Sequence, residues 1–366
     1  MFDTDIYSVN VGPVHPSTHG GLHAEAIMNG EIIEDVIVHL GYVHRSVEKI
    51  AEGKTYQQYV PYTARLDYLA TNLPVMGYCQ TVEKLLGIEI PERAEYIRVI
   101  MAELSRIASH QIAVAATGID LGATTGLMYA MRDRERIMDI FAMTGGQRLL
   151  SSYIRIGGVA ADIPEGFIPA VNDIVNDIPK MMDEYNDLLT GNEIWGARMK
   201  GVGVLKAEDA IAYGVTGPNL RASGISYDLR KAEPYSIYDR FDFVVPTRNS
   251  GDSLARWQVR IEEIGESGRI IKQALDGMPE GEIKGKVPKN LKPEAGAEVY
   301  HHIESSKGEL GYYIVSDGGA KPYRLHVRAP SFINLMVLPL ISRGGVFQDI
   351  ITNIATLDPI LGESDR

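Results

Sequence analysis

Groups able to bind and release protons gather in three short segments. Gly12-Pro13-Val14-His15-Pro16-Ser17-Thr18-His19-Gly20-Gly21 carries two histidines four apart. Histidine titrates near neutrality and serves as proton donor, proton acceptor or metal ligand. Pro16, the loop composition and the lack of a third ligand nearby argue against a metal pair here. The plainer reading is two loop histidines bonded to backbone. Tyr62-Thr63-Ala64-Arg65-Leu66-Asp67-Tyr68 sets phenols, a guanidinium and a carboxylate just before the apolar Leu69, Leu73 and Met76. Taken alone, such a group reads as a structural hydrogen-bond network. Asp120, in Thr117-Gly118-Ile119-Asp120-Leu121-Gly122, lies between helical tracts and taken alone reads as a cap.

Cysteine usage closes several routes. Cys79 is the only cysteine in 366 residues. One thiol cannot form an internal disulfide, and it cannot hold an iron–sulfur cluster, a structural zinc or a nickel–iron centre. Composition closes others. Hydrophobic residues make up 45% and charged residues 23%, as in ordinary folded proteins. The net charge of −12 opposes general nucleic-acid binding, which rests on Lys and Arg against phosphates. It equally opposes direct docking on anionic lipid. No run approaches the roughly 18 apolar residues of a membrane span. The start, MFDTDIYSVN, lacks the basic-then-apolar layout of a signal peptide. Membrane association is therefore expected through a partner protein.

These segments need elements to position them. DIYSVNVGP and HAEAIMNGEIIEDVIVHL read as a small sheet with a hairpin at Asn29-Gly30. The histidine segment between its strands is a loop. Pro91 opens a helix at its first position, with Ile97, Ile100, Met101, Leu104 and Ile107 on one face. Glu95/Arg98 and Glu103/Arg106 are expected to pair along its surface. A second helix covers the region from Met128 to Leu149. A third begins near Pro164, is kinked at Pro179 and stops at Gly191. A fourth starts from Asp252 as N-cap and stops at Gly277.

The Pro-, Gly- and Lys-rich stretch from Pro279 to Gly296 reads as an exposed connection. A short antiparallel sheet over AEVYHHIES, LGYYIVSD and PYRLHVRAP follows, then two helices and an acidic tail. The fold class is α+β, with a helical middle and β-rich ends. Residues 1–60 form an N-terminal α+β region, 61–278 a central helical region and 279–366 a C-terminal β-plus-helical region, all in one integrated fold. Nucleotide motifs fail. Gly201-Val202-Gly203-Val204-Leu205-Lys206 ends in lysine and lacks the strand–turn–helix context, and no phosphate-binding GxxxxGK[ST] loop is present.

Taken together, GPVHPSTHG, GYVHRSVEKIAEGKTY, PYTARLDYL, PERAEYIRVIMAELSRIASH, YIRIGGVAADIPEGF, NLRASGISYDLRKAEPYS, KGELGYYIVSDGG, YRLHVRAPSF and LDPILGESDR resemble the D-type, quinone-site subunit of proton-translocating NADH:quinone oxidoreductase, complex I. The resemblance is collinear and spans essentially the whole chain. It implies the nickel–iron hydrogenase large-subunit fold with the metal site lost. Hydrogenases bind their metals with two Cys-x-x-Cys pairs. Here the corresponding regions, Arg65-Leu66-Asp67-Tyr68 and Asp358-Pro359-Ile360-Leu361-Gly362-Glu363, contain no cysteine.

The resemblance further implies a quinone head-group in the vacated cavity, beside the terminal iron–sulfur cluster of a neighbouring subunit. His19 and Tyr68 match the head-group ligands, and Asp120 the aspartate paired with that histidine. Asp358 and Ile360 match the C-terminal wall of the cavity, and Arg65 the arginine facing the cluster. This chain then binds no cofactor itself. Quinone is its substrate, while iron–sulfur clusters and FMN reside on partners. Those partners are the cluster-bearing subunit, other peripheral-arm subunits and a membrane-arm subunit at the quinone channel. The location implied is the cytoplasmic face of the cell membrane.

Quinone reduction adds two electrons and two protons, so each carbonyl oxygen needs a donor as charge develops. Tyrosine and histidine meet that need. One departure stands out. Many members carry a histidine after the GxR segment, where it makes the cluster potential pH-dependent. Here Gly146-Gln147-Arg148-Leu149-Leu150-Ser151-Ser152-Tyr153 has none. A lower, less pH-sensitive cluster potential is expected. The alternatives are the equivalent subunit of a complex fed by reduced deazaflavin or ferredoxin and reducing a phenazine-like acceptor, and a scaffold without catalysis. An active hydrogenase fails on cysteine count.

Overall fold

Strand alternation sets the first sheet. In the computed structural model, which describes residues 6–366, β1 (Ile6–Val11), β2 (His23–Asn29) and β3 (Ile32–His39) form an antiparallel meander. The β2–β3 turn falls at Asn29-Gly30 as expected, with Gly30 at φ 62°. Ala24, Ala26 and Met28 point inward at period two. Their partners come from the far end of the chain.

Short helices α1 (Val47–Gly53) and α2 (Tyr56–Thr63) lead to α3 (Asn72–Leu86) and the 29-residue α4 (Glu92–Asp120). Pro91 is the N-cap of α4, in extended backbone, and not its first helical residue. The expected apolar face is buried, but so is nearly everything else from Arg93 to Gly118. A helix buried all round must satisfy its charges internally. The expected surface pairs are therefore corrected. Glu95 and Arg98 approach only to 3.9 Å, and Arg98 instead grips Glu83 through two nitrogens at 2.6 and 3.0 Å. Glu103 and Arg106 do pair, at 3.2 Å, in the interior.

The second helix, α5 (Thr124–Gly145), begins and ends about one turn earlier than expected. A small hairpin, β4 (Ile154–Arg155) and β5 (Gly158–Val159), precedes α6 (Phe167–Tyr185). Pro179 lies inside α6, which runs on through a π-type turn at Asn186–Thr190 to Gly191. Four short helices follow: α7 (Glu193–Met199), α8 (Ala207–Ala212), α9 (Pro218–Ala222) and α10 (Leu229–Ala232). Then α11 (Ser253–Gly277) starts at Asp252, whose carboxylate accepts from the Ala255 N–H at 2.8 Å. It packs against α4 and α6.

A buried ionic chain fastens this centre. Glu263 on α11 bonds His110 on α4 at 2.8 Å and Arg221 on α9 at 2.8 Å. Arg221 reaches Glu304 at 2.7 Å, and Arg230 joins Asp228 at 2.6 Å and Glu103 at 3.1 Å. Of the glycines in the failed nucleotide motif, Gly203 has a packing role and Gly201 faces open space. A Cβ on Gly203 would lie 2.0 Å from Asn353 Oδ1.

The connection before residue 295 is largely exposed yet anchored, because the Gly285 N–H bonds Gly157 O at 2.7 Å. The second antiparallel meander is β6 (Ala295–Ser305), β7 (Gly308–Asp317) and β8 (Pro322–Arg328). The end of the chain holds four helices where two were expected: α12 (Pro330–Leu335), α13 (Leu338–Ser342), α14 (Phe347–Leu357) and α15 (Leu361–Ser364). The acidic tail is not a solvated tail. Residues 357–365 are buried, each acid there finding donors inside. Asp365, for instance, accepts from the Gly41 and Val43 N–H groups at 2.9 and 2.8 Å. Leu335, Leu338, Ile350, Ile354, Leu357 and Leu361 cover the apolar face of β2 and β3, so the two ends of the chain share one core.

Candidate functional site

The histidine loop is shaped by its own hydrogen bonds. Thr18 Oγ1 donates to Pro13 O and His15 O at 3.2 and 2.8 Å, closing a single turn of 3-10 helix over Pro16–Thr18. Gly12 is needed at its start, since a Cβ there would lie 2.2 Å from Leu22 O. The two histidines then part company. His15 is exposed, and its Nδ1 accepts from the Ser17 N–H at 3.2 Å. His19 adopts the left-handed conformation, φ 53°, and turns inward.

Its Nε2 lies 3.8 Å from Asp120 Oδ2, with the side chains 14% and 5% exposed. That separation suits a charge pair and is too long for a hydrogen bond. Both atoms are buried, and neither has a hydrogen-bond partner. Asp120 is the last residue of α4, so its carboxylate meets the negative end of the helix dipole. A cap would not place an anion there. The position costs stability.

Tyr68 follows the turn that ends α2. Asp67 is fully buried and accepts from the N–H groups of Leu69 and Ala70, each at 3.1 Å, and from Ser306 Oγ at 3.2 Å. This part of the segment is structural, as its composition suggested. Tyr68 itself projects, 37% exposed, with its ring against Gly362. A Cβ on Gly362 would sit 2.8 Å from Leu66 O and 3.2 Å from Tyr68 Cδ1. Burial and the Asp67 charge raise the Tyr68 phenol above its ordinary value, so it stays protonated and able to donate. Arg65 is exposed and donates back to Pro61 O, while Arg45 bonds Arg65 O at 2.9 Å.

Asp358, the C-cap of α14, also has left-handed backbone, φ 55°. It too faces the negative end of a helix, but it is compensated. Lys307 Nζ bonds its Oδ2, and Arg260 Nε lies 3.5 Å away. Burial would raise this carboxyl; Lys307 and Arg260 outweigh burial and hold it below the usual range. Ile360 is buried, and its N–H donates to Ser331 Oγ at 3.0 Å.

Of the sequence-derived residues, His19 faces Asp120, Tyr68 packs on Gly362 of the C-terminal segment, and Asp358 of that segment is held by Lys307 and Arg260. Arg65 stands at the rim, near Tyr68 in the chain. Three residues escaped the sequence reading. They are Lys307, Arg260 and Glu363, the last within the stretch read as an acidic tail. All three are buried. No local signal distinguishes them, because their partners lie far along the chain. A cleft of about 730 Å³ lined by Gln80, Glu83, Tyr235, His301 and His302 includes none of the site residues. Cys79 is buried within α3, and burial raises its thiol far above the ordinary value. Among the described residues, no group of three or more His, Cys, Asp or Glu side chains is placed to hold a metal ion.

A mixed helix-and-sheet scaffold with its polar groups drawn into the junction of both chain ends, and no cysteine in either segment, is the hydrogenase-large-subunit-like class in its metal-free form. The chain belongs to the family described as respiratory-chain NADH dehydrogenase, 49 kDa subunit, which matches residues 120–297 and 287–366. It is 53% identical to the D-type subunit of the NADH-quinone oxidoreductase of Clostridium beijerinckii, over 99% of this chain and 98% of that protein. The corresponding NADH-quinone oxidoreductase protein of Desulforamulus reducens is 51% identical over 99% of both chains, and that of Carboxydothermus hydrogenoformans 51% over the full length of both.

Proposed function

We propose that this chain forms part of the quinone head-group pocket of a complex I-like oxidoreductase. In this reading His19 and Tyr68 donate to opposite carbonyls of the head-group and Asp120 backs His19. Asp358 and Ile360 belong to the C-terminal wall of the pocket. The observation that carries it is the buried, unbonded pair His19 Nε2 and Asp120 Oδ2. A structural histidine would be satisfied by the protein; one that waits for a ligand need not be.

The chemistry assigned to these residues is proton delivery. Electrons arrive singly from an iron–sulfur cluster on a partner subunit, at the side marked by Arg65. As negative charge grows on the acceptor oxygens, the Tyr68 hydroxyl and the His19 imidazole each supply a hydrogen bond and then a proton. The partner set is the one the resemblance implies, with FMN and the clusters on other subunits. No helix among the described residues is long and apolar enough to cross a membrane. Attachment on the cytoplasmic face would then run through the membrane-arm partner.

Tyr68→Phe and His19→Ala test the assignment in the assembled complex. Each is expected to lower quinone reductase turnover by about 100-fold or more. Wild-type turnover in either variant, with assembly intact, removes that residue from the site.

A further inference from the structure

Beneath Tyr68 lies a set of charges that does not balance. Asp67, Asp358 and Glu363 are all buried, and so are the cations Lys307 and Arg260. Both cations pair with Asp358. Asp67 is left with the Leu69 and Ala70 N–H groups and the Ser306 hydroxyl. Glu363 Oε1 accepts one bond, from the Ser331 N–H at 3.0 Å. Its Oε2 is buried and has no partner. An ionised carboxylate with a bare oxygen in such a place is costly, whereas a protonated one is not.

We infer that Asp67 and Glu363 together hold one exchangeable proton and that Glu363 returns it to Tyr68 after each acceptor reduction. The inference rests on the reading of Tyr68 as a donor. Glu363 acts through Tyr68 and does not touch the acceptor. The two segments are packed together, since a Cβ on Gly362, next to Glu363, would lie 2.8 Å from Leu66 O, 3.0 Å from Arg65 O and 3.2 Å from Tyr68 Cδ1.

The titratable and charged groups around Glu363 are Asp67 and Tyr68 after α2, Lys307 in the β6–β7 turn, Tyr312 on β7, Asp358 after α14, and Arg45, which bonds Gly362 O at 3.3 Å. Burial and Asp67 push the Glu363 carboxyl up to about 8. Burial likewise raises Asp67.

The balance is simple. A quinone takes two electrons from one-electron iron–sulfur carriers on a partner, and two protons, one from Tyr68 and one from His19. The Tyr68 O–H bond breaks and leaves a phenolate. The Glu363 O–H bond then breaks, its proton restores the phenol, and the carboxylate is recharged from water. A phenol raised by its surroundings takes that proton downhill.

The test uses the assembled complex in membranes and a short-chain quinone. Glu363→Gln keeps the shape and the Ser331 bond but cannot release a proton. The expected result is an unchanged KM, kcat lower by about tenfold or more, and a larger solvent deuterium isotope effect. The wild-type fall in kcat above pH about 8 should vanish in the variant. Glu363→Asp should recover part of the rate. Wild-type kcat and a wild-type alkaline limb in Glu363→Gln would overturn the inference.

Tyr68→Phe separates the two readings. If it stays fully active, the role of Tyr68 itself fails. If it is inactive while Glu363→Gln is normal, only the proton reserve falls. Should Glu363→Gln fail to assemble, infrared difference spectra of the wild-type complex decide. A protonated-carboxyl band lost as pH rises through about 8 supports the reserve, and its absence refutes it.

Discussion

Lys307, in the turn between two strands, is bonded to Asp358, 51 residues further along at the end of a helix. Both side chains are almost wholly buried, at 1% and 3% exposed. Breaking a buried pair from one side leaves the other charge unsolvated and costs about 3–5 kcal/mol. Lys307→Met should therefore lower the unfolding midpoint of the chain markedly in denaturant titrations. The double change Lys307→Met with Asp358→Leu should recover much of that loss.

Asp120 offers the opposite balance. Its charge opposes the dipole of α4, so Asp120→Asn should raise stability by about 0.3–1 kcal/mol. The same change strips His19 of its counter-charge and should lower quinone reductase turnover by about tenfold or more. Thermal melts and turnover on one preparation check both signs, and a variant that is less stable contradicts the dipole argument.

Gly362 sets the seat of Tyr68. A methyl group there meets the Leu66 carbonyl at 2.8 Å, so backbone must shift and the ring with it. Gly362→Ala should raise KM for quinone by about tenfold, the scale expected when a positioning contact is misplaced. An unchanged KM would mean that the Tyr68 ring does not help to seat the acceptor.

Stability should depend on pH through Glu363. Its carboxyl stands at about 8 in the fold against an ordinary 4.5, so the folded state holds a proton that the unfolded state has released between those values. The contribution is fully present below pH about 4.5 and is lost as pH rises through about 8. Melting temperatures across this window should fall more steeply in the wild type than in Glu363→Gln.

In the proposed complex, the segment after Gly146 would bear on the cluster of the neighbouring subunit. Leu150 stands in left-handed backbone, and Arg148 is tied to Glu135 and Asp139, the latter at 2.9 Å. With no histidine between Gly146 and Tyr153, the partner's terminal cluster should titrate with little pH dependence. A steep slope in potentiometric titrations of the complex would refute this.

Much of the fold could be read from residue patterns. The Asn29-Gly30 hairpin, the Asp252 cap and the Gly277 stop rest on local chemistry, and they came out where expected. The interior of α4 did not, because helical periodicity finds an apolar face but cannot reveal that Glu83 takes Arg98. The site divides the same way. The proposal for His19, Tyr68 and Asp120 rests on the collinear resemblance, which no single segment supports. Lys307, Arg260 and Glu363 depend on contacts between distant parts of the chain: Lys307 and Arg260 both meet Asp358, and Glu363 meets Ser331.

The sharing of one core by β2, β3 and the last helices has a consequence for synthesis. A ribosome makes the sheet first and its cover more than 290 residues later. Until then Ala24, Ala26, Met28, Ile33 and Val36 present an unprotected oily surface to the cell. Long-range closure of this kind is slow and exposes chains to aggregation. The nascent polypeptide should thus depend on holding chaperones, and a stalled or prematurely terminated product should keep this face of the sheet bare.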